Sequence, residues 1–99
     1  MIWRYHPEAA EEFLAACVHY AEISPELGRT FHDSIEASLE RILSGPRVWP
    51  VIEDGVRRFV VRRFPYGIYY SLLDDDSVVL VVAVMDLRSR PGYWRHRIA

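Results

Sequence analysis

The spacing of apolar positions changes along the chain, and this change predicts helices in the first half and strands in the second. Over residues 9–43, apolar side chains return every three or four positions, as they do on the buried face of a helix. Beyond residue 56 they alternate or run together in short segments, which is typical of strands. Residues 2–5 form one further strand candidate, which ends at His6-Pro7.

Two consecutive helices are predicted between residues 7 and 44. Pro7 lies in the first turn of the first helix, where proline is tolerated, and glutamates follow it at the positive end of the helix dipole. Ser24 and Pro25 then begin the second helix as N-cap and first residue, and Gly45-Pro46 ends it. Because the connection is so short, the two helices are expected to form an antiparallel hairpin.

Three strands are predicted after the helices, at residues 56–64, 67–73 and 78–85. Pro65 and Gly67 interrupt the first, and the three aspartates at positions 74–76 form the next turn. Residues 47–55 are predicted to be a loop. The element order is therefore β-α-α-β-β-β, which indicates an α+β fold with the helical hairpin packed on a small antiparallel sheet. Residues 1–99 are expected to form a single domain.

The last predicted strand is apolar on both of its alternating faces, so both sides of it need cover. The helical hairpin covers only one side. The other side is left for a partner protein, a second copy of the chain, or the C-terminal tail.

No segment of the 99 residues approaches the ~20 apolar residues that cross a membrane. The N-terminus also lacks the basic-then-apolar order of a signal peptide. We therefore expect a cytoplasmic protein without membrane contact. The single cysteine excludes an internal disulfide, and the four histidines lack metal-ligand spacing, so no metal site and no cofactor are expected.

The net charge of −2 conceals an asymmetry between the two halves of the chain. Residues 1–56 carry four arginines and ten acidic residues, whereas residues 57–99 carry eight arginines and four aspartates. An arginine-rich half indicates an acidic or phosphate-bearing partner, and the alternative is a solvated strand face. The candidate partner-binding residues are Arg57, Arg58, Arg62, Arg63, Arg95, Arg97 and Trp94. For the first four, salt bridges to neighbouring acids are the alternative, and for Trp94 it is packing on the sheet.

Several segments together resemble the RelE/ParE family of bacterial toxins, the plasmid-stabilisation type of toxin in type II toxin-antitoxin pairs. They are YHPEAAEEF, SPELGRTF, RVWPVIEDGVRRFVVRRFPYGIYYSL and AVMDLRSRPGYWRHR, and they span nearly the whole chain. The resemblance implies the family's fold, a helical hairpin on a small antiparallel sheet. It also implies an antitoxin partner, which we expect to lie across the groove between the sheet and the arginine-bearing tail.

The resemblance also implies two alternative modes of action. RelE-type members cut ribosome-bound mRNA by driving a ribose 2′-hydroxyl onto the adjacent phosphate, which requires cations and proton-transfer groups. By position, Arg88 or Arg90 corresponds to their phosphate-binding arginine and Tyr93 to their catalytic tyrosine, with Asp86 or His96 in proton transfer. ParE-type members instead bind DNA gyrase and need no catalytic residues.

Two positions depart from the ribonuclease pattern. Gly67 stands where the ribonucleases often carry arginine, and Asp86 stands where many carry histidine, so its negative charge would repel RNA phosphate. These departures favour a toxin that binds a target such as gyrase without catalysis. The alternatives are an mRNA endonuclease and a non-toxic relative that only binds an antitoxin.

Overall fold

The computed structural model describes residues 1–98, so Ala99, the last residue of the predicted domain, lies outside the described part. In chain order the elements are β1 (Ile2–Tyr5), α1 (Pro7–Ile23), α2 (Pro25–Ser44), β2 (Val51–Glu53), β3 (Val56–Val60), β4 (Tyr66–Leu73) and β5 (Val78–Asp86), followed by a 3-10 turn at Arg95–Arg97. The helical hairpin packs on a five-stranded sheet, which confirms the predicted α+β class.

The helices begin where the sequence predicts, with Ser24 as the predicted N-cap of α2, while the N-cap role of His6 at α1 was not predicted. The Nδ1 atom of His6 accepts a hydrogen bond from the Glu8 backbone N–H (3.1 Å) at the start of α1. The Oγ atom of Ser24 accepts one from the Leu27 N–H (3.0 Å) at the start of α2. A Cβ atom at Gly28 would lie only 2.7 Å from the Ala21 Cβ. Because glycine has no Cβ atom, α1 and α2 can pack closely at this point near their connection.

The sheet has the strand order β1-β5-β4-β3-β2 and is mixed, whereas the sequence predicts an antiparallel sheet. β1 pairs in parallel with β5, while the other pairs are antiparallel. β4 occupies one edge of β5 and leaves the other edge open, and β1 pairs with that edge. The antiparallel order of β3, β4 and β5 is as predicted, and the prediction was wrong only for β1, because a pairing between opposite ends of the chain leaves no trace in the local pattern.

The segment predicted as a loop contains β2, which forms a hairpin with β3. Asp54 (φ 47°) and Gly55 (φ 76°) make its two-residue turn, and Asp-Gly is a strong hairpin signal that the sequence prediction missed. β3 is shorter than predicted and ends at Val60. Arg62 and Arg63 therefore lie in the following turn, and the prediction that they occupy a strand is wrong.

Apolar side chains form a core on each face of the sheet. The core under the helices contains Phe31, Ile35, Ile68, Tyr70 and Val81 among others. The core on the opposite face contains Val56, Tyr69, Val82, Ala83, Met85 and Trp94. A register shift of β5 against β4 places both Val82 and Ala83 in this second core. β5 is thus buried on both sides, as its sequence predicts.

Candidate functional site

The C-terminal tail, residues 87–98, lies on the sheet face opposite the helices. Trp94 is 2% exposed and packs on Tyr69, with 5.6 Å between the ring centroids. Val82 and Ala83 beneath it are fully buried. Of the three covers considered for this face, the tail is the one that the structure shows, so burial of these residues does not require a partner.

An ion pair between Arg97 and Glu12 holds the tail against α1. The Nη1 and Nη2 atoms of Arg97 donate to the Glu12 carboxylate over 2.9 and 3.0 Å. Nη1 also donates to the Val82 carbonyl (3.0 Å), while the Glu12 carboxylate accepts from the Val84 N–H (3.1 Å). β1 pairs with β5 only as far as Val81. Beyond that point, Arg97 and Glu12 supply the hydrogen-bond partners of the Val82 carbonyl and the Val84 N–H.

Asp86 and Arg88 bind each other at the end of β5. The Nε atom of Arg88 donates to Oδ1 of Asp86 (2.9 Å) and its Nη2 atom donates to Oδ2 (2.7 Å). These hydrogen bonds lower the pKa of the Asp86 carboxyl and raise the pKa of the Arg88 guanidinium. Arg88 is exposed, but part of its donor capacity is already directed to Asp86.

Tyr93 and Asp86 line one pocket of about 380 Å³ between α1 and the end of β5, together with Glu12, His19 and Tyr66. Burial is the main cause of the raised pKa of Tyr93, and a hydrogen bond with Glu12 raises it further. Its phenol therefore stays protonated at neutral pH. We call this cavity the acidic pocket, because two carboxylates line it.

The other ribonuclease candidates are not among the residues that line the acidic pocket. Arg88 and Arg90 lie outside it, and the Nε2 atom of His96 is 2.8 Å from a carboxylate oxygen of Glu8. Of the five residues that the resemblance implies for RNA cleavage, two, Asp86 and Tyr93, line the acidic pocket, and Arg88 is bound to one of them.

The candidate partner-binding residues divide into engaged and exposed groups. Arg57 donates to the carbonyls of Arg47 (3.1 Å) and Trp49 (2.6 Å), while Arg95 binds the Glu53 carboxylate. Trp94 and the Arg97 side chain are buried in the packing of the tail. The exposed members, for which residues 1–98 supply no ion pair, are Arg58, Arg62 and Arg63, and Arg90 shares this property.

A groove of about 420 Å³ runs between the second face of the sheet and the tail, and we call it the sheet–tail groove. Val60 (52% exposed) and Leu87 (37% exposed) line it together with Arg58 and Pro91. The tail thus leaves an apolar strip beside the sheet uncovered, next to an unpaired cation.

Comparison with known proteins decides the family. The model of the ParE toxin of type II toxin-antitoxin system, parDE, matches residues 3–98. The chain belongs to the ParE toxin family. It is a type II toxin, which confirms the resemblance read from its sequence.

The fold of this ParE-family toxin also matches a solved structure titled "Chromosomal ParDE TA system from P. aeruginosa", with a TM-score of 0.69 at 19% identity. The match covers 87% of this chain and 95% of the other. A search of curated protein sequences finds no match.

Two residues of this ParE-family chain have contacts that the sequence analysis missed. Glu12 was placed in the first turns of α1 as a charge that suits the helix dipole, and its contact with Arg97 carries no local signal. The second residue is Arg41 in α2. Its guanidinium lies over the rings of Phe59 (5.6 Å to the centroid) and Trp49 (5.8 Å).

In the part of the chain that the structure describes, no group of three His, Cys, Asp or Glu residues is placed to hold a metal ion. None of the described helices is both long and apolar enough to cross a membrane.

Proposed function

We propose that this toxin arrests growth by binding a protein target and does not cleave RNA. DNA gyrase is the target that the family resemblance implies. The observation that carries the proposal is the acidic pocket, whose described lining includes Tyr93, Glu12 and Asp86 but no arginine. Arg97 lies over the Tyr93 ring (5.1 Å to the centroid), but its Nη atoms donate to Glu12.

The chemistry of RNA cleavage argues against this pocket as a ribonuclease site. The phosphate that is attacked gains negative charge in the transition state and needs cations aimed at it. Here Glu12 binds Arg97 and Asp86 binds Arg88, so neither cation is free to bind the phosphate. Asp86 is held by Arg88, and the raised pKa of Tyr93 leaves a neutral phenol that is a poor proton acceptor.

Expression of the chain alone is expected to arrest bacterial growth and to induce the DNA-damage response while transcripts stay intact. The Tyr93→Phe variant keeps the fold of the tail and is expected to arrest growth equally. Growth curves, a damage-response reporter and mapping of transcript ends would measure these outcomes.

Transcript cuts at codon-related positions that vanish with Tyr93→Phe would overturn the proposal and establish the endonuclease alternative. Normal growth with soluble protein confirmed would establish the non-toxic module instead.

We further propose that a cognate antitoxin neutralises the toxin by occupying the sheet–tail groove. Val60 and Leu87 offer apolar contact area in the groove. Arg58, which lines the groove, and Arg90, which lies in the tail, are exposed cations. An antitoxin segment with apolar and acidic side chains complements both features.

Charge reversal at Arg58 and Arg90 is expected to slow antitoxin association about tenfold at low salt, because rim charges act mainly on encounter. The matched control is Arg4→Glu with Arg29→Glu, which changes the net charge equally at exposed positions outside the groove. Stopped-flow or surface-binding kinetics would measure both rates. Equal slowing in the two variants, or a complex in which the antitoxin touches only the outer side of the helices, would contradict this placement.

A further inference from the structure

A second groove, on the helix side of the sheet, contains three arginines. Ser34, Ala37 and Arg41 of α2 form one wall, the turn with Arg62 and Arg63 forms the other, and Phe59 lies between them. We call it the basic groove. Its volume of about 410 Å³ falls in the range of ~300–1,000 Å³ that is usual for ligand pockets.

The arginines of the basic groove have no carboxylate partner within residues 1–98. By contrast, four other arginines each bind an acidic residue: Arg47, Arg88, Arg95 and Arg97. Arg41 is held over the Phe59 ring, so its position is fixed while its N–H groups remain available. Cations that share one groove repel each other, and a ligand with negative charge would relieve that repulsion.

The backbone at Arg63 adds a second, independent feature. Its φ of 72° lies in the left-handed region, which residues other than glycine, asparagine and aspartate seldom adopt. Glycine or asparagine would adopt this turn more easily. Unfavourable backbone conformations of this kind cluster at binding sites, where the side chain presented is what matters.

The surroundings of the basic groove favour a peptide over a nucleic acid. Asp33 lines the groove, and residues 7–44 carry eight acidic residues against two arginines, so a continuous phosphate backbone would meet repulsion. Phe59 is 5% exposed and contacts both Arg41 and Trp49, so its ring offers little surface on which a base could stack. A short peptide needs only local carboxylates and one apolar contact.

We propose that the basic groove binds an acidic peptide segment of a partner protein. Carboxylates of that segment pair with Arg41, Arg62 and Arg63, and an apolar side chain lies beside Ala37 and the edge of Phe59. The groove and the sheet–tail groove lie on opposite faces of the sheet, so one does not exclude the other. The proposal rests on the groove alone and is independent of how the toxin arrests growth.

Fluorescence anisotropy with a dye-labelled peptide of alternating glutamate and leucine residues tests the proposal on the purified toxin. The Arg62→Glu/Arg63→Glu variant is expected to bind the peptide about tenfold more weakly, because the pairing charges are reversed. The charge-matched control, Arg4→Glu/Arg29→Glu, is expected to bind with less than a twofold change.

Two further variants keep the test informative if charge reversal disturbs the turn. Arg62→Gln/Arg63→Gly removes both charges, and glycine accepts the φ of residue 63 without strain, so this variant should fold and still bind weakly. Asp33→Asn removes the one carboxylate that lines the groove and is expected to tighten peptide binding about threefold.

Each of three results would overturn the proposal. They are absence of peptide binding by the unaltered toxin, equal weakening in the charge-matched control, and tighter binding of a single-stranded oligonucleotide of the same charge. The last result would assign the groove to a nucleic acid.

Discussion

Trp94→Ala is expected to lower the free energy of unfolding by about 3–5 kcal/mol, as large-to-small substitutions of buried aromatic residues do. Trp94 is 2% exposed and contacts Tyr69, and it covers the face of the sheet that contains Val82 and Ala83. Its removal leaves a cavity and opens that face to water. Because small domains have a net stability of only ~5–15 kcal/mol, the loss is a large part of the total.

Urea denaturation would measure this loss, and binding of a hydrophobic dye to the native state would report the opened face. Leu87→Ala is the matched control, because it removes a partly exposed apolar side chain from the same tail segment. It is expected to change the free energy of unfolding by less than about 1 kcal/mol. A similarly small effect of Trp94→Ala would show that the tail does not cover the sheet in solution.

Arg97→Met is expected to lower the free energy of unfolding by about 3 kcal/mol, because it removes one partner of a largely buried ion pair. The Arg97 side chain is 7% exposed and joins the Glu12 carboxylate to the Val82 carbonyl. Methionine fills a similar volume but donates no hydrogen bond. The Glu12 carboxylate would stay in place without its cation, and the carbonyl would lose a donor.

The control for this substitution is Arg95→Met, two residues earlier in the same 3-10 turn. Arg95 binds Glu53 at an exposed position, so its loss is expected to lower the free energy of unfolding by about 1 kcal/mol or less. Thermal and urea denaturation would measure both variants. Equal effects would contradict the role assigned to burial of the Glu12–Arg97 pair.

A double-mutant cycle would separate the ion pair from the packing of the Arg97 side chain. Glutamine at position 12 keeps an oxygen that accepts from the Val84 N–H but carries no charge. Glu12→Gln combined with Arg97→Met is therefore expected to be less destabilising than the sum of the two, by about 1 kcal/mol or more. Additive losses would mean that the charges do not interact.

Local signals in the sequence were sufficient for the helices and for the last two strands. Ser24 and Pro25 start α2 through side-chain and backbone chemistry that acts over three or four residues. β4 and β5 begin or end within one residue of the predicted bounds, because runs of β-branched and aromatic side chains are limited by turn residues. β2 was also within reach of the sequence, since the Asp54-Gly55 turn marks its hairpin.

The candidate site was predicted less completely. For the ribonuclease alternative, the resemblance implied Tyr93 as catalytic tyrosine and Asp86 or His96 in proton transfer, and Tyr93 and Asp86 do line the same pocket. It also implied Arg88 or Arg90 as the phosphate-binding arginine, whereas the Arg88 side chain turns back to Asp86, two residues away. Position along the chain does not specify the rotamer of a long side chain, and an adjacent carboxylate competes for the same donors.

By itself the sequence determined the elements, their order, the two apolar faces of β5 and the toxin family. Only the tertiary structure decided which element covers each face and which charges remain unpaired. Arg97 meets Glu12 across 85 positions, Arg95 meets Glu53 across 42, and β1 meets β5 from opposite ends of the chain. Contacts within a helix or hairpin join near neighbours, whose chemistry appears as a local pattern. These distant contacts depend on how whole elements pack, and local patterns carry no record of that packing.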